Sequence, residues 1–267
     1  MLRRTPVLVT AAAVAIAGTL ASCDGDSDGD SLTDLESALA AVPATDENLT
    51  LIAWTNISAA VVLGAYEEHP NPFATAGLIG YGGLATAVRQ FDPALLPATD
   101  TDGSAVVSMG RPPDTAFRID GVDAHAAAEF FTGTAGEESE LDEGTLLVRR
   151  DDHAIDPSDD LLPPAVLAQM NTVWFGDSTL IGSSTQPHAT SLVQGEGESA
   201  ADAAVYAGIT DCLGEVLAAE LHSGEASSIG VAYGLGYDGT AEDPEVRLCL
   251  HADDPEDMAE TIRDSLS

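Results

Sequence analysis

The sequence predicts an α+β fold, an antiparallel sheet built from about three diverged ββα units with helices packed on one face. Three segments share the order strand, short polar turn, helix, and they cover residues 115–131, 178–194 and 246–262. A second strand-like run precedes each segment. Antiparallel strand pairs covered by helices make a layered α+β architecture. The period of more than 60 residues exceeds that of ordinary repeat arrays, which favours duplication inside one domain.

The other elements follow from local patterns along the chain. Residues 32–42 place leucines at helical spacing before Pro43, and residues 49–57 are rich in strand formers. A small apolar helix is predicted over 58–69, and an extra strand over 144–152. Between the second and third units, residues 199–222 predict one long helix. The chain is 45% hydrophobic, enough to bury a sizeable core.

The first residues have the pattern of an export signal. Arg3 and Arg4 precede an apolar and small-residue run from Val7 to Ala21. Such a run is too short to span a bilayer stably, but it is typical of a secretory h-region that is removed after export. Residues 1–22 are therefore predicted to be a signal peptide.

The residues that end this run are Leu20-Ala21-Ser22-Cys23, and they resemble the lipobox of bacterial lipoprotein precursors. The resemblance implies transfer of a diacylglyceryl group to the Cys23 thiol and cleavage before Cys23. Two or three acyl chains give durable anchoring, whereas one chain does not. We therefore expect a lipid-anchored protein on the extracytoplasmic face of a cell membrane, with 23–31 as an acidic tether and 32–267 as a single globular domain.

Cysteine usage agrees with an oxidising compartment. If Cys23 carries lipid, Cys212 and Cys249 remain as a pair, and we predict that they form a disulfide. Two buried free thiols are the alternative.

The charge balance limits the partners. The chain has 9 Lys+Arg and 45 Asp+Glu, a net charge of -36. Such a field repels nucleic acid and keeps the protein soluble, while it opposes compaction through self-repulsion. We expect no nucleic-acid partner.

The mature part loosely resembles uncharacterised exported lipoproteins of actinobacterial type. The likeness rests on the lipobox, "ALAAVPA", "DCLGEVLAAEL" and "RLCLHADDPEDM". Because no biochemical role attaches to that group, the resemblance bears on fold and location alone.

An Asp ladder over residues 24–36 offers a calcium hypothesis. In the EF-hand register Leu35 occupies position 12, where a bidentate Glu is required. In a register shifted by two, which resembles the thrombospondin type 3 repeat, Ser37 falls where an acid is expected. A solvated acidic spacer explains the run better, and we expect neither a metal nor a cofactor.

The block "WFGDSTLIG" resembles the Gly-Asp-Ser block of GDSL-type hydrolases, which makes Ser178 a candidate nucleophile. Those enzymes place an Asp three residues before the catalytic histidine, and no histidine of this chain has one. Asp177-Ser178 also fits a two-residue hairpin turn. A nucleophile without a base is only a turn serine, so we predict no catalytic residue.

Two further groups of residues each allow a structural and a functional interpretation. His153 lies among acids in 149–160, which favours an exposed loop over a metal site. Trp54, Trp174 and the tyrosines of "VAYGLGYDG" line either a core or a ligand groove.

The leading hypothesis is a lipid-anchored extracytoplasmic protein that acts as a non-enzymatic binding or scaffolding module. Its partner is either a protein or a small apolar ligand, besides the membrane that holds the lipid on Cys23. An envelope serine hydrolase centred on Ser178 and a calcium-dependent surface module using residues 24–36 are the alternatives.

Overall fold

Ten strands form a single antiparallel sheet in the computed structural model of the chain. The structure describes residues 34–67, 71–90, 95–96, 103–131, 134–156, 168–195, 197–223, 232–240 and 242–251. The strands are β1 (Leu51–Asn56), β2 (Ala105–Arg111), β3 (Asp114–Asp120), β4 (Glu137–Leu141), β5 (Gly144–Val148), β6 (Thr172–Gly176), β7 (Thr179–Ser183), β8 (Ala218–His222), β9 (Ala232–Gly239) and β10 (Pro244–His251). Their order across the sheet is β10-β9-β8-β1-β2-β3-β7-β6-β5-β4, which leaves β10 and β4 as the two edges.

The helices are short and lie between the strands in sequence. They are α1 (Asp34–Ala40), α2 (Asp46–Leu49), α3 (Ile57–Val62), α4 (Ala76–Ile79), α5 (Ala124–Phe131), α6 (Gln186–Gln194) and α7 (Ala204–Leu213), with 3-10 turns at Gly82–Leu84 and Val88–Gln90. Side chains of Thr45, Asn56 and Thr185 cap the first turns of α2, α3 and α6. Within the described residues, no helix has both the length and the apolar character needed to cross a membrane.

Helices cover both faces of the sheet, so the prediction of helices on one face is wrong. On the first face, Trp54 of β1 packs with the leucines of α1. On the second face, the neighbouring Thr55 donates a hydrogen bond of 2.9 Å from its Oγ1 to the carbonyl of Ala76 in α4. Four consecutive residues of β1 are buried. A strand that is buried on both sides needs a covering layer on each.

The α+β class and the antiparallel sheet are as predicted, but the sheet does not divide into three equivalent ββα units. The hairpin β2–β3 is followed by α5, and the hairpin β6–β7 by α6. However, α5 packs in the cluster of Phe117 and Leu180 on the second face, while α6 packs in the cluster of Trp54 on the first. The helix predicted within 246–262 falls on residues after His251, and these lie outside the described residues.

The long helix predicted over 199–222 is also wrong. The chain forms α7, stops at Gly214, and then enters β8 at the centre of the sheet. Gly214 has φ 59 and ψ -143, a positive-φ conformation that favours glycine and ends the helix. Residues 218–222 are mostly helix formers, but hydrogen bonding to β1 and β9 and burial against both layers override that preference.

Candidate binding surface

Alternating glycines divide β9 into two very different sides. Gly234 and Gly236 point toward the first face, where α7 lies directly on the strand. A Cβ placed on Gly234 would lie 2.5 Å from Cγ2 of Ile209, so no larger residue fits there without displacing the helix. The side chains between the glycines therefore point to the second face.

Six side chains on the second face, three from β9 and three from β10, form a continuous apolar surface, which we call the open face. The open face consists of Tyr233, Leu235 and Tyr237 from β9 and Val246, Leu248 and Leu250 from β10. The register places each β9 residue opposite one of the β10 residues. Val246 is 64% exposed and Leu248 is 56% exposed. Adjacent exposed aliphatic side chains on one strand are typical of an interaction site rather than of an ordinary surface.

The two edges of the sheet differ in a way that bears on this surface. The outer strand β4 carries three exposed glutamates, Glu137, Glu138 and Glu140, and like charges along an edge discourage pairing with another strand. The outer strand β10 has eight residues and presents Val246 and Leu248 to solvent. Among the described residues, the β4 edge is therefore better protected against strand addition than the β10 edge, where Pro244 and Glu245 are followed by two exposed aliphatic residues.

β10 is fastened to the rest of the fold from the first face. The predicted disulfide between Cys212 and Cys249 is present and joins α7 to β10, with their Cα atoms 6.0 Å apart. Beside it, the Arg247 guanidinium donates a 2.8 Å hydrogen bond to the carbonyl of Leu213, the last residue of α7. It also pairs at 2.8 Å with the Asp238 carboxylate of β9. These contacts hold the edge strand while its opposite side remains uncovered.

Two polar side chains of β8 border the open face. Glu220 points to the same face from β8, and burial raises the pKa of its carboxyl group. The His222 ring stacks on Tyr233 with centroids 4.3 Å apart. Burial, with a smaller contribution from the Arg111 guanidinium, lowers the pKa of His222.

Ser178 lies in the turn of the β6–β7 hairpin, as the turn interpretation of the sequence predicts. Gly176 pairs with Thr179, so Asp177 and Ser178 form a two-residue connection, and Asp177 has φ 49. Ser178 is exposed, and its main-chain carbonyl accepts hydrogen bonds from the amides that follow β3.

The described histidines make contacts at other places. His153 pairs with Asp114 at 2.8 Å, and the His188 Nε2 lies 2.5 Å from the Asn48 side-chain oxygen. His125 lies 3.8 Å from Glu129 on α5. No contact brings one of these rings to Ser178, within the part of the chain that the structure describes.

The acidic cluster around His153 is used for local contacts. Asp152 accepts a hydrogen bond of 2.8 Å from the amide of Gln186 at the start of α6, and Asp156 pairs with Arg150 at 3.1 Å. Across the described residues, no group of three or more His, Cys, Asp or Glu side chains is placed to hold a metal ion. Asp159 lies outside the described residues.

The aromatic residues divide between core and surface. Trp54 is 1% exposed and belongs to the first-face core. Trp174 is partly buried, and its Nε1 donates a hydrogen bond of 3.0 Å to the carbonyl of Leu141. The half-buried tyrosines of β9, Tyr233 and Tyr237, lie beside the exposed residues of β10. From the sequence, these tyrosines are candidates for a ligand groove. No pattern in the sequence indicated that β10 extends the same surface with three aliphatic residues.

Cys23 and residues 24–33 of the Asp ladder lie outside the described residues. Comparison with known proteins gave no match: no family model, no curated protein and no solved structure is significantly similar to this chain.

Proposed function

We propose that this chain is a lipid-anchored protein of the extracytoplasmic membrane face that acts by binding through the open face and performs no catalysis. The observation that carries the binding role is the exposed apolar surface of β9 and β10 at the less protected edge of the sheet. The anchoring role rests on the sequence, in which an h-region ends in Leu20-Ala21-Ser22-Cys23.

The surface suits a macromolecular partner better than a small solute. Small ligands bind in concave sites that bury most of their area. The open face instead includes an outer strand that, among the described strands, hydrogen bonds to β9 alone. An extended protein segment pairs with such an edge through its main chain and places its own side chains beside the apolar ones.

Charge also limits where the protein binds. A chain with a net charge of -36 is repelled by the anionic headgroups of a membrane surface. The acyl chains on Cys23 are then what keep it at the membrane, and the acidic residues that follow hold the folded domain away from it. We assign these residues a spacing role and no calcium site.

The anchoring is tested by changing Cys23 to Ser in the full-length chain. We expect complete loss of lipid labelling and transfer of the protein from the membrane fraction to the soluble exported fraction. Two or more acyl chains anchor a protein durably to a membrane, and the variant would carry none. Ser22→Ala is the matched control, since a small residue at that position preserves the lipobox. Labelling that persists in Cys23→Ser contradicts the anchor.

The non-enzymatic role is tested with a serine-directed fluorophosphonate probe. We expect no covalent labelling that depends on Ser178, because an unactivated turn serine is a weak nucleophile. The wild-type chain and Ser178→Ala should give the same signal, with a known serine hydrolase as the positive control. Labelling of the wild type that disappears in Ser178→Ala makes the protein a hydrolase and overturns the proposal.

A further inference from the structure

We propose that the partner at the β10 edge is a second copy of this chain, and that two β10 strands pair antiparallel about Leu248 to join the two sheets. This inference rests on the proposed function, because it names the occupant of the same surface. The combined sheet would have twofold symmetry, and each copy would contribute the same strand.

The sequence of β10 matches itself in this register. Leu248 lies opposite Leu248 of the second copy, and Val246 lies opposite Leu250 on either side. The open faces of the two copies then form one apolar surface across the junction. On the first face, Glu245 lies opposite His251, so like charges do not meet there. A register centred on Arg247 would place two arginines directly opposite each other, which is unfavourable.

The contrast between the sheet edges excludes most other pairings. β4 of one copy opposite β4 of another would bring Glu137, Glu138 and Glu140 against the same residues. β4 opposite β10 would pair heterologously and produce open-ended chains of molecules. β10 opposite β10 closes after two copies and covers the less protected of the two described edges.

The interface is small, and the lipid anchor compensates for this. Stable complexes bury roughly 800 Å² on each partner, and one edge strand with its apolar side chains provides a modest surface by comparison. Two copies held in the same membrane plane, however, meet at a high effective concentration. Each copy is strongly acidic, with 45 Asp+Glu in the sequence, so salt should favour pairing by screening their repulsion.

Cysteine cross-linking of the full-length, lipid-anchored chain in its membrane tests the register. Leu248→Cys places two thiols opposite each other, with Cβ atoms about 5 Å apart. A bifunctional thiol reagent with a short spacer should then give a covalent dimer, on the order of tenfold more than a Ser139→Cys control on β4 gives by collision within the same plane. Val246→Cys alone should give little dimer, because four residues of strand separate the two thiols by about 13 Å. The double variant Val246→Cys/Leu250→Cys should restore it.

Two results overturn the proposal. One is a dimer yield from Leu248→Cys that does not exceed that from Ser139→Cys, and the other is a yield from Val246→Cys that exceeds that from Leu248→Cys. Reaction of Val246→Cys with a maleimide in intact cells separates the two levels of the argument. If Leu248→Cys gives no dimer while Val246→Cys remains protected, the second copy is excluded and binding through the open face stands. If Leu248→Cys gives no dimer and Val246→Cys reacts in intact cells as fast as in the purified chain, both fail.

Discussion

Removing the disulfide between Cys212 and Cys249 is expected to lower the free energy of unfolding by about 3 to 4 kcal/mol. The two residues are 37 positions apart in sequence, and a cross-link over that distance restricts the unfolded chain substantially. The bond also joins the edge strand β10 to α7, so its loss should loosen the edge first. Urea unfolding of Cys212→Ala/Cys249→Ala measures the stability, and amide hydrogen exchange along β10 measures the loosening.

The matched control for this experiment is Val62→Ala on α3. Val62 is 85% exposed, and a substitution at such a position should change the stability by less than about 0.5 kcal/mol. Reduction of the wild-type chain with a thiol reagent should reproduce the effect of the double variant. An unchanged urea midpoint in the double variant would show that packing and the Arg247 contacts alone hold β10 in place.

Much of the fold follows from short-range patterns in the sequence. The leucines before Pro43 predict α1, and the strand-like runs before the polar turns predict the hairpins β2–β3 and β6–β7. The pairing of Cys212 with Cys249 follows from compartment and parity once Cys23 is assigned to the lipid. These features depend on residues close in sequence or on simple counting, which is why they can be predicted.

The errors concern features that depend on the whole sheet. Residues 218–222 form β8 because β1 and β9 hydrogen bond to them on either side, and that environment is absent from the local sequence. In the sequence, Gly214 indicates that the helix ends before residues 218–222. β4 lacks apolar alternation because its outer side chains are the glutamates of a protected edge, so no hydrophobic pattern identified it.

Only part of the open face could be predicted from the sequence. The alternation of glycine with tyrosine and leucine in β9 shows that one side of the strand is small and the other is large. Which side a helix covers depends on where α7 packs, and this is a tertiary feature. The exposed side is the one with large residues, since α7 approaches the glycines. The charged residues of β10 obscured the fact that its aliphatic residues continue the same surface.

The accessibility of one thiol tests the central claim, that the open face is the surface used for binding outside the cell membrane. In Val246→Cys the new thiol is free, while Cys212 and Cys249 are bonded to each other and the lipid blocks Cys23 in the proposed form. Because Val246 is 64% exposed in the isolated chain, a membrane-impermeant maleimide should label this variant rapidly after purification and dilution. Labelling should be slower in intact cells, where a bound partner lies against Val246 and its neighbours.

Ser139→Cys on β4 is the matched reference for this measurement, because it lies on the protected edge. Its thiol should react with the impermeant maleimide both in the purified chain and in intact cells, which reports the extracytoplasmic location as well. We predict protection at position 246 and reaction at position 139. Equal and rapid labelling of both positions in intact cells would contradict the account, since an uncovered open face has no role in binding.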